Sequence, residues 1–80
     1  MQVEVRLHAT LAKSVAGTHV GASMDTDLPP GATITDLLLD LGIPSDDVHL
    51  VIVNGRPVHD RQTALRDGDR VVLFPPVGGG

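Results

Sequence analysis

Apolar and polar residues alternate from the start of the chain, with Val3, Val5 and Leu7 interleaved between Gln2, Glu4, Arg6 and His8. A period of two places the two sets on opposite faces of a sheet, so the pattern predicts a half-buried strand. Val20, Ala22, Met24, Thr26 and Leu28 repeat it at even positions and predict a second strand, which Pro29-Pro30-Gly31 stops. The stretch from Ala9 to Thr18 reads as a loop with room for one helical turn. After Thr33 the period changes. Ile34, Leu37, Leu38 and Leu41 recur at helical spacing, and Thr33 with an acid three residues on is a helix start. Gly42 falls where a C-terminal cap belongs and Pro44 forbids continuation, so one helix is predicted over Thr33 to Leu41.

The polar turn Ser45-Asp46-Asp47 leads into an apolar run, Val48 to Val53, that predicts a well-buried strand. Asn54-Gly55 supplies the two positive-φ residues of a tight hairpin. Arg56 to His59 is then a short return strand, at an edge because Pro57 cannot donate to a ladder. Asp60 to Leu65 is loop, Asp67-Gly68-Asp69 turns the chain, and Arg70 to Phe74 is the last strand. The order is strand, strand, helix, strand, strand, strand. One helix must cover one face of one sheet, which makes the chain α+β.

Strand parity divides that sheet. If Val3, Val5, Leu7, Val58, Val71 and Leu73 face the helix, the opposite face carries Phe74, Val72, Pro57 and the ring of His8. No second element is predicted to cover it. An apolar face of this kind suits docking to a partner, with the lone aromatic as its anchor. The competing reading folds Phe74 over the sheet edge as ordinary core.

Eighty residues make one domain, and at this size only roughly 60% of the unfolded chain's surface is buried. The single Phe, with no Trp or Tyr, leaves the core to aliphatic side chains. The absence of cysteine removes disulfides, thiolate nucleophiles and thiolate metal sites together. Ten acids against six bases give a net charge of −4, and the basic residues are scattered, so direct nucleic-acid binding is disfavoured. That acidic balance hints at most at a basic surface on a protein partner. No apolar run approaches the ~20 residues of a membrane span and no signal pattern opens the chain, so the cytoplasm is the expected compartment.

Candidate chemistry in the body is sparse. His8, His19, His49 and His59 fall on separate elements without ligand spacing, so no metal is expected. Asp67-Gly68-Asp69 lacks the remaining ligands of a calcium loop. Asp36, Asp40, Asp46 and Asp47 read as a solvated face rather than paired catalytic acids, and Lys13, the sole lysine, as a soluble loop charge. No nucleophile, base and acid come together, so the chain is not expected to be an enzyme by itself.

The sequence closes on Phe74-Pro75-Pro76-Val77-Gly78-Gly79-Gly80. Pro75-Pro76 favours an extended polyproline path rising ~3.1 Å per residue, a semi-rigid stalk. The three glycines have no Cβ, so the tail could thread a channel too narrow for other residues and present an unhindered Gly80 carboxylate. The expected organisation is a folded body over residues 1–74 and a flexible tail over 75–80.

Body and tail together resemble the ubiquitin-like β-grasp sulfur carriers, and within them the small subunit of molybdopterin synthase. The likeness runs through Val5-Arg6-Leu7-His8-Ala9, the helix after Thr33, Val53-Asn54-Gly55, Leu65-Arg66-Asp67-Gly68-Asp69-Arg70-Val71 and, most sharply, Phe74 to Gly80. It implies a β-grasp fold of about five strands in one mixed sheet on one main helix. It further implies that a ubiquitin-activating-like enzyme consumes ATP to adenylate Gly80, and that a sulfur donor protein then displaces AMP to leave a thiocarboxylate. A large synthase subunit would accept the tail and pass the sulfur to a pterin precursor in molybdenum cofactor biosynthesis. On this resemblance Gly80 is the reacting residue, Gly78, Gly79, Pro75, Pro76 and Val77 thread the tail, and Phe74, Val72, His8 and Pro57 meet the partner. No cofactor is bound by the carrier itself. Two positions depart from the family: Gly78 stands where a side chain is common, and His8 where a larger apolar residue is. The same tail also serves ubiquitin-like modifiers joined to lysines through Gly80, and sulfur carriers for thiamine, cysteine or tRNA thiolation. A β-grasp module with an inert tail is the third reading.

Overall fold

Side-chain alternation becomes geometry in the first strand. β1 (Gln2–Leu7) buries Val3, Val5 and Leu7 almost completely and leaves Gln2 and Arg6 in solvent. The structure is a computed structural model that describes residues 1–8 and 23–76. The expected loop between the first two strands, with His19, Lys13 and the start of the second predicted strand, lies outside the described residues. β2 (Ser23–Asp27) keeps the even-residue parity, with Thr26 buried and Met24 half-buried. β3 is Leu50–Val53, β4 is Arg56–Pro57 and β5 is Arg70–Phe74.

The sheet order is β2-β1-β5-β3-β4. β1 and β5 run parallel at its centre, and every other pairing is antiparallel. With one α-helix over one face among the described residues, this is the mixed five-stranded β-grasp arrangement the sequence led one to expect. β4 is an edge strand, where the missing N–H of Pro57 costs no ladder bond.

α1 (Ile34–Leu41) is one residue shorter than its pattern, because Thr33 has extended backbone and caps rather than begins it. Thr33 Oγ1 accepts from the Asp36 amide at 3.2 Å while Asp36 Oδ2 accepts from the Thr33 amide at 2.9 Å, a reciprocal capping box. The Ile34 and Thr35 amides donate to the carbonyls of Thr63 and Arg61, so the loop after β4 satisfies donors the helix cannot. Gly42 ends the helix in left-handed conformation at φ 72°, where a Cβ would be strained. Ile34, Leu37 and Leu38 join Val3, Val5, Leu7, Val51, Val71 and Leu73 in one core.

Two predicted strands are corrected. The run Val48 to Val53 is not uniformly buried: Val48 and Val51 are, whereas Leu50, Ile52 and Val53 are half-buried. Ser45–Asp47 is a 3₁₀ turn, and ladder pairing begins only at Leu50. The return strand stops at Pro57 rather than His59, with the Val58 amide still bonded to the Val51 carbonyl at 2.8 Å. Between β3 and β4, Asn54 and Gly55 sit at φ 53° and 82°, as a two-residue turn of this hand requires.

The capping box yields a stability expectation. Thr33→Ala removes the acceptor for the Asp36 amide and should cost about 1 kcal/mol. For a domain of this size that lowers the melting temperature by roughly 4–8 °C, readable by calorimetry. Thr33→Ser should restore most of it.

Candidate functional site

Registered strand partners build rows across the face opposite the helix. Pro57, Ile52, Val72 and Arg6 are successive partners across β4, β3, β5 and β1. In the next row toward the chain end, Leu50 pairs with Phe74, and the His8 ring stacks on Phe74 with centroids 4.3 Å apart and planes inclined by 23°. Ile52, Val72, Leu50 and Phe74 are half-buried, and Pro57 and Arg6 are exposed.

The structure therefore places Phe74, Val72, His8 and Pro57 on one face, as parity required. It adds Leu50 and Ile52, which the reading of β3 as wholly buried had hidden. The parity of Val51 was the signal that could have found them: with Val51 inward, its two neighbours must point outward.

Beside this apolar strip, Ile52, Asn54, Gly55, Gly68, Arg70 and Val72 line an open depression of about 480 Å³. Arg70 Nε lies 3.4 Å from Glu4 Oε1, with both side chains substantially in solvent. A pair so exposed stabilises by about 1 kcal/mol at most. Asn54 joins the hairpin to the start of β5, its Nδ2 donating to Asp69 Oδ1 at 2.9 Å and its Oδ1 accepting from the Arg70 amide at 3.0 Å. Among the described residues no three His, Asp or Glu side chains gather where they could hold a metal ion, and no helix is long and apolar enough to cross a membrane.

The end of β5 is held from both sides. The His8 amide donates to the Leu73 carbonyl at 3.1 Å, and the His49 amide donates to the Phe74 carbonyl at 2.8 Å. Beyond Phe74 come Pro75, half-buried, and Pro76, exposed, neither with an N–H to bond back to the sheet. The two backbone grips and the His8–Phe74 stack thus fix the position of Phe74 and the direction in which Pro75 follows it. Val77, Gly78, Gly79 and Gly80 lie outside the described residues.

The geometry comprises an apolar face whose one aromatic side chain, Phe74, directly precedes Pro75 and Pro76. Comparison with known proteins assigns it a lineage. The pattern of the ThiS family matches residues 9–80. The chain is 34% identical to small archaeal modifier protein 3 of Haloferax volcanii, over the full length of both. It is also 34% identical to a second Haloferax volcanii protein, known by its solution structure, with all of this chain and 87% of that one covered and a TM-score of 0.78. A Pyrococcus furiosus protein assigned as molybdopterin converting factor subunit 1 is 30% identical, over 96% of this chain and 99% of its own, with a TM-score of 0.72.

Proposed function

The chain belongs to the ThiS family of ubiquitin-like sulfur carriers and modifiers, and from that premise we propose that Gly80 is loaded with sulfur as a terminal thiocarboxylate. The observation that carries the reading is the family match extending through residue 80 on a body that exposes an apolar face at the foot of the tail. A carboxylate is a poor electrophile. One Gly80 oxygen attacks the α-phosphorus of ATP, pyrophosphate leaves, and the acyl carbon becomes open to attack. A sulfur nucleophile at the hydrosulfide level then forms the C–S bond and expels AMP. The adenylating enzyme supplies the catalytic groups and consumes the ATP, so this chain acts as its protein substrate.

Within that reading each part has a role. Phe74, Val72, His8 and Pro57, with Leu50 and Ile52, dock the body. Pro75, Pro76 and Val77 carry the tail across the partner's surface, and Gly78 and Gly79 pass the narrow approach to the reacting carbon. The proposed recipient is a pterin precursor held by a large molybdopterin synthase subunit, which the likeness to the Pyrococcus furiosus subunit supports.

A second reading has its own support in the full-length likeness to a modifier protein: Gly80 joined to a lysine of another protein. Both begin with the same acyl adenylate and part at the nucleophile. The test is intact mass of the purified chain after incubation with ATP, an adenylating enzyme and a sulfur source. An oxygen-for-sulfur mass increase confined to the last residue is expected. A chain left unconverted where a known carrier is loaded would sink the sulfur reading, and Gly80 recovered in isopeptide linkage from cells would establish the modifier.

A further inference from the structure

Away from the outer face, the hydrogen bonds of Arg61 lead to the root of the tail. Its Nη2 donates to the Val48 carbonyl at 2.7 Å and its Nη1 to Ser45 Oγ at 3.3 Å. Its own carbonyl accepts from the Thr35 amide at 3.0 Å and the Thr35 hydroxyl at 3.2 Å, which ties it to the first turn of α1. The Val48 carbonyl and the His49 N–H belong to one peptide unit, and that N–H donates to the Phe74 carbonyl at 2.8 Å. The unit is planar and polarised by resonance, so a charged donor on its oxygen strengthens the N–H as a donor. Bonds linked in this way reinforce one another by about 10–30% each.

We propose that Arg61 is a positioning residue for loading of the tail. Through the Val48–His49 peptide it holds the Phe74 carbonyl, and with it the direction in which Pro75 and Pro76 leave the sheet. The proposal rests on the reading of Gly80 as the reacting group. The Phe74 carbonyl precedes two residues without an N–H, so an angular error there travels outward along the stalk uncorrected. A root that samples more directions presents the tail correctly for a smaller fraction of the time. Apparent affinity falls by that fraction, while chemistry after docking is untouched. Loss of Arg61 should therefore raise KM for the carrier and leave kcat alone.

Arg61→Met keeps the apolar stem and removes every donor, whereas Arg61→Lys returns one donor toward Val48. Amide exchange followed by NMR reads the root directly, and steady-state loading by a purified adenylating enzyme reads its consequence. In Arg61→Met the His49 amide should exchange roughly tenfold faster, while the Glu4 amide, bonded to Asp69 at the other end of the sheet, keeps its rate. KM should rise roughly fivefold at constant kcat, with Arg61→Lys recovering most of it. Ile34→Val, a mild core change, lowers stability without touching this path, so its KM should match the wild type while both are folded. Wild-type exchange at His49 in Arg61→Met, or equal acceleration at His49 and Glu4, overturns the proposal. If the wild-type chain itself takes no sulfur, the reading of Gly80 falls, and the exchange result alone decides whether Arg61 holds the Phe74 carbonyl.

Discussion

Deleting Gly79 and Gly80 is expected to abolish sulfur loading altogether while leaving thermal unfolding of the body unchanged. Among the described residues the buried hydrophobic core runs from Val3 to Leu73, and the last backbone hydrogen bond is at the Phe74 carbonyl. Nothing in that core needs the final glycines. The deletion leaves a carboxylate on Gly78, so the molecule keeps the functional group but loses about 7 Å of reach. Adenylation tolerates no such error, since misplacing reacting atoms by roughly 1 Å can already cost a hundredfold. The measurement pairs intact mass after loading with a melting curve on the same sample. A truncated chain that still acquires sulfur at the full-length rate would show that the reacting group lies elsewhere. An equal loss of sulfur and of melting temperature would mean that the tail is part of the fold.

The parts of this fold legible in the sequence are those decided locally. The cap pair Thr33 and Asp36, the glycine at position 42 and the Asn54-Gly55 turn depend on residues within four positions of one another, and each sits in the structure where its chemistry requires. The outward set Phe74, Val72, Pro57 and His8 followed from period-two geometry on strands whose inward residues were unambiguous. β3 was harder. An all-apolar run hides its own parity, and Leu50 and Ile52 emerge on the face opposite the helix only once pairing with Phe74 and Val72 assigns them. Arg61 was illegible for another reason. Its partners Ser45, Val48 and Thr35 lie 13 to 26 residues away, and no spacing rule links a loop arginine to the peptide that holds a strand end. The net charge of −4 gave no guide to this face, because its two rows nearest the end of β5 carry Arg6 and His8 and no acid.

Replacing Phe74 with Ala is expected to weaken docking to the adenylating enzyme by roughly thirtyfold, the equivalent of about 2 kcal/mol for a buried aromatic anchor. Stability should fall much less. Leu73 and Phe74 are adjacent on β5 but face opposite ways: Leu73 is fully buried beneath α1, whereas Phe74 is half-buried against Leu50 and the His8 ring. Leu73→Ala should therefore cost about 2–5 kcal/mol of folding free energy through the cavity it leaves. That is a large share of what an 80-residue domain has. For molecules that remain folded, its docking should be near normal. Phe74→Asp sharpens the contrast, because a carboxylate there is tolerated in solvent but must be desolvated when a partner closes over the patch. Isothermal titration against the enzyme and urea unfolding, run on all three variants, separate the two roles. If Phe74→Ala unfolds the domain as readily as Leu73→Ala and binds the enzyme normally once folded, Phe74 is core and the docking face must be sought elsewhere.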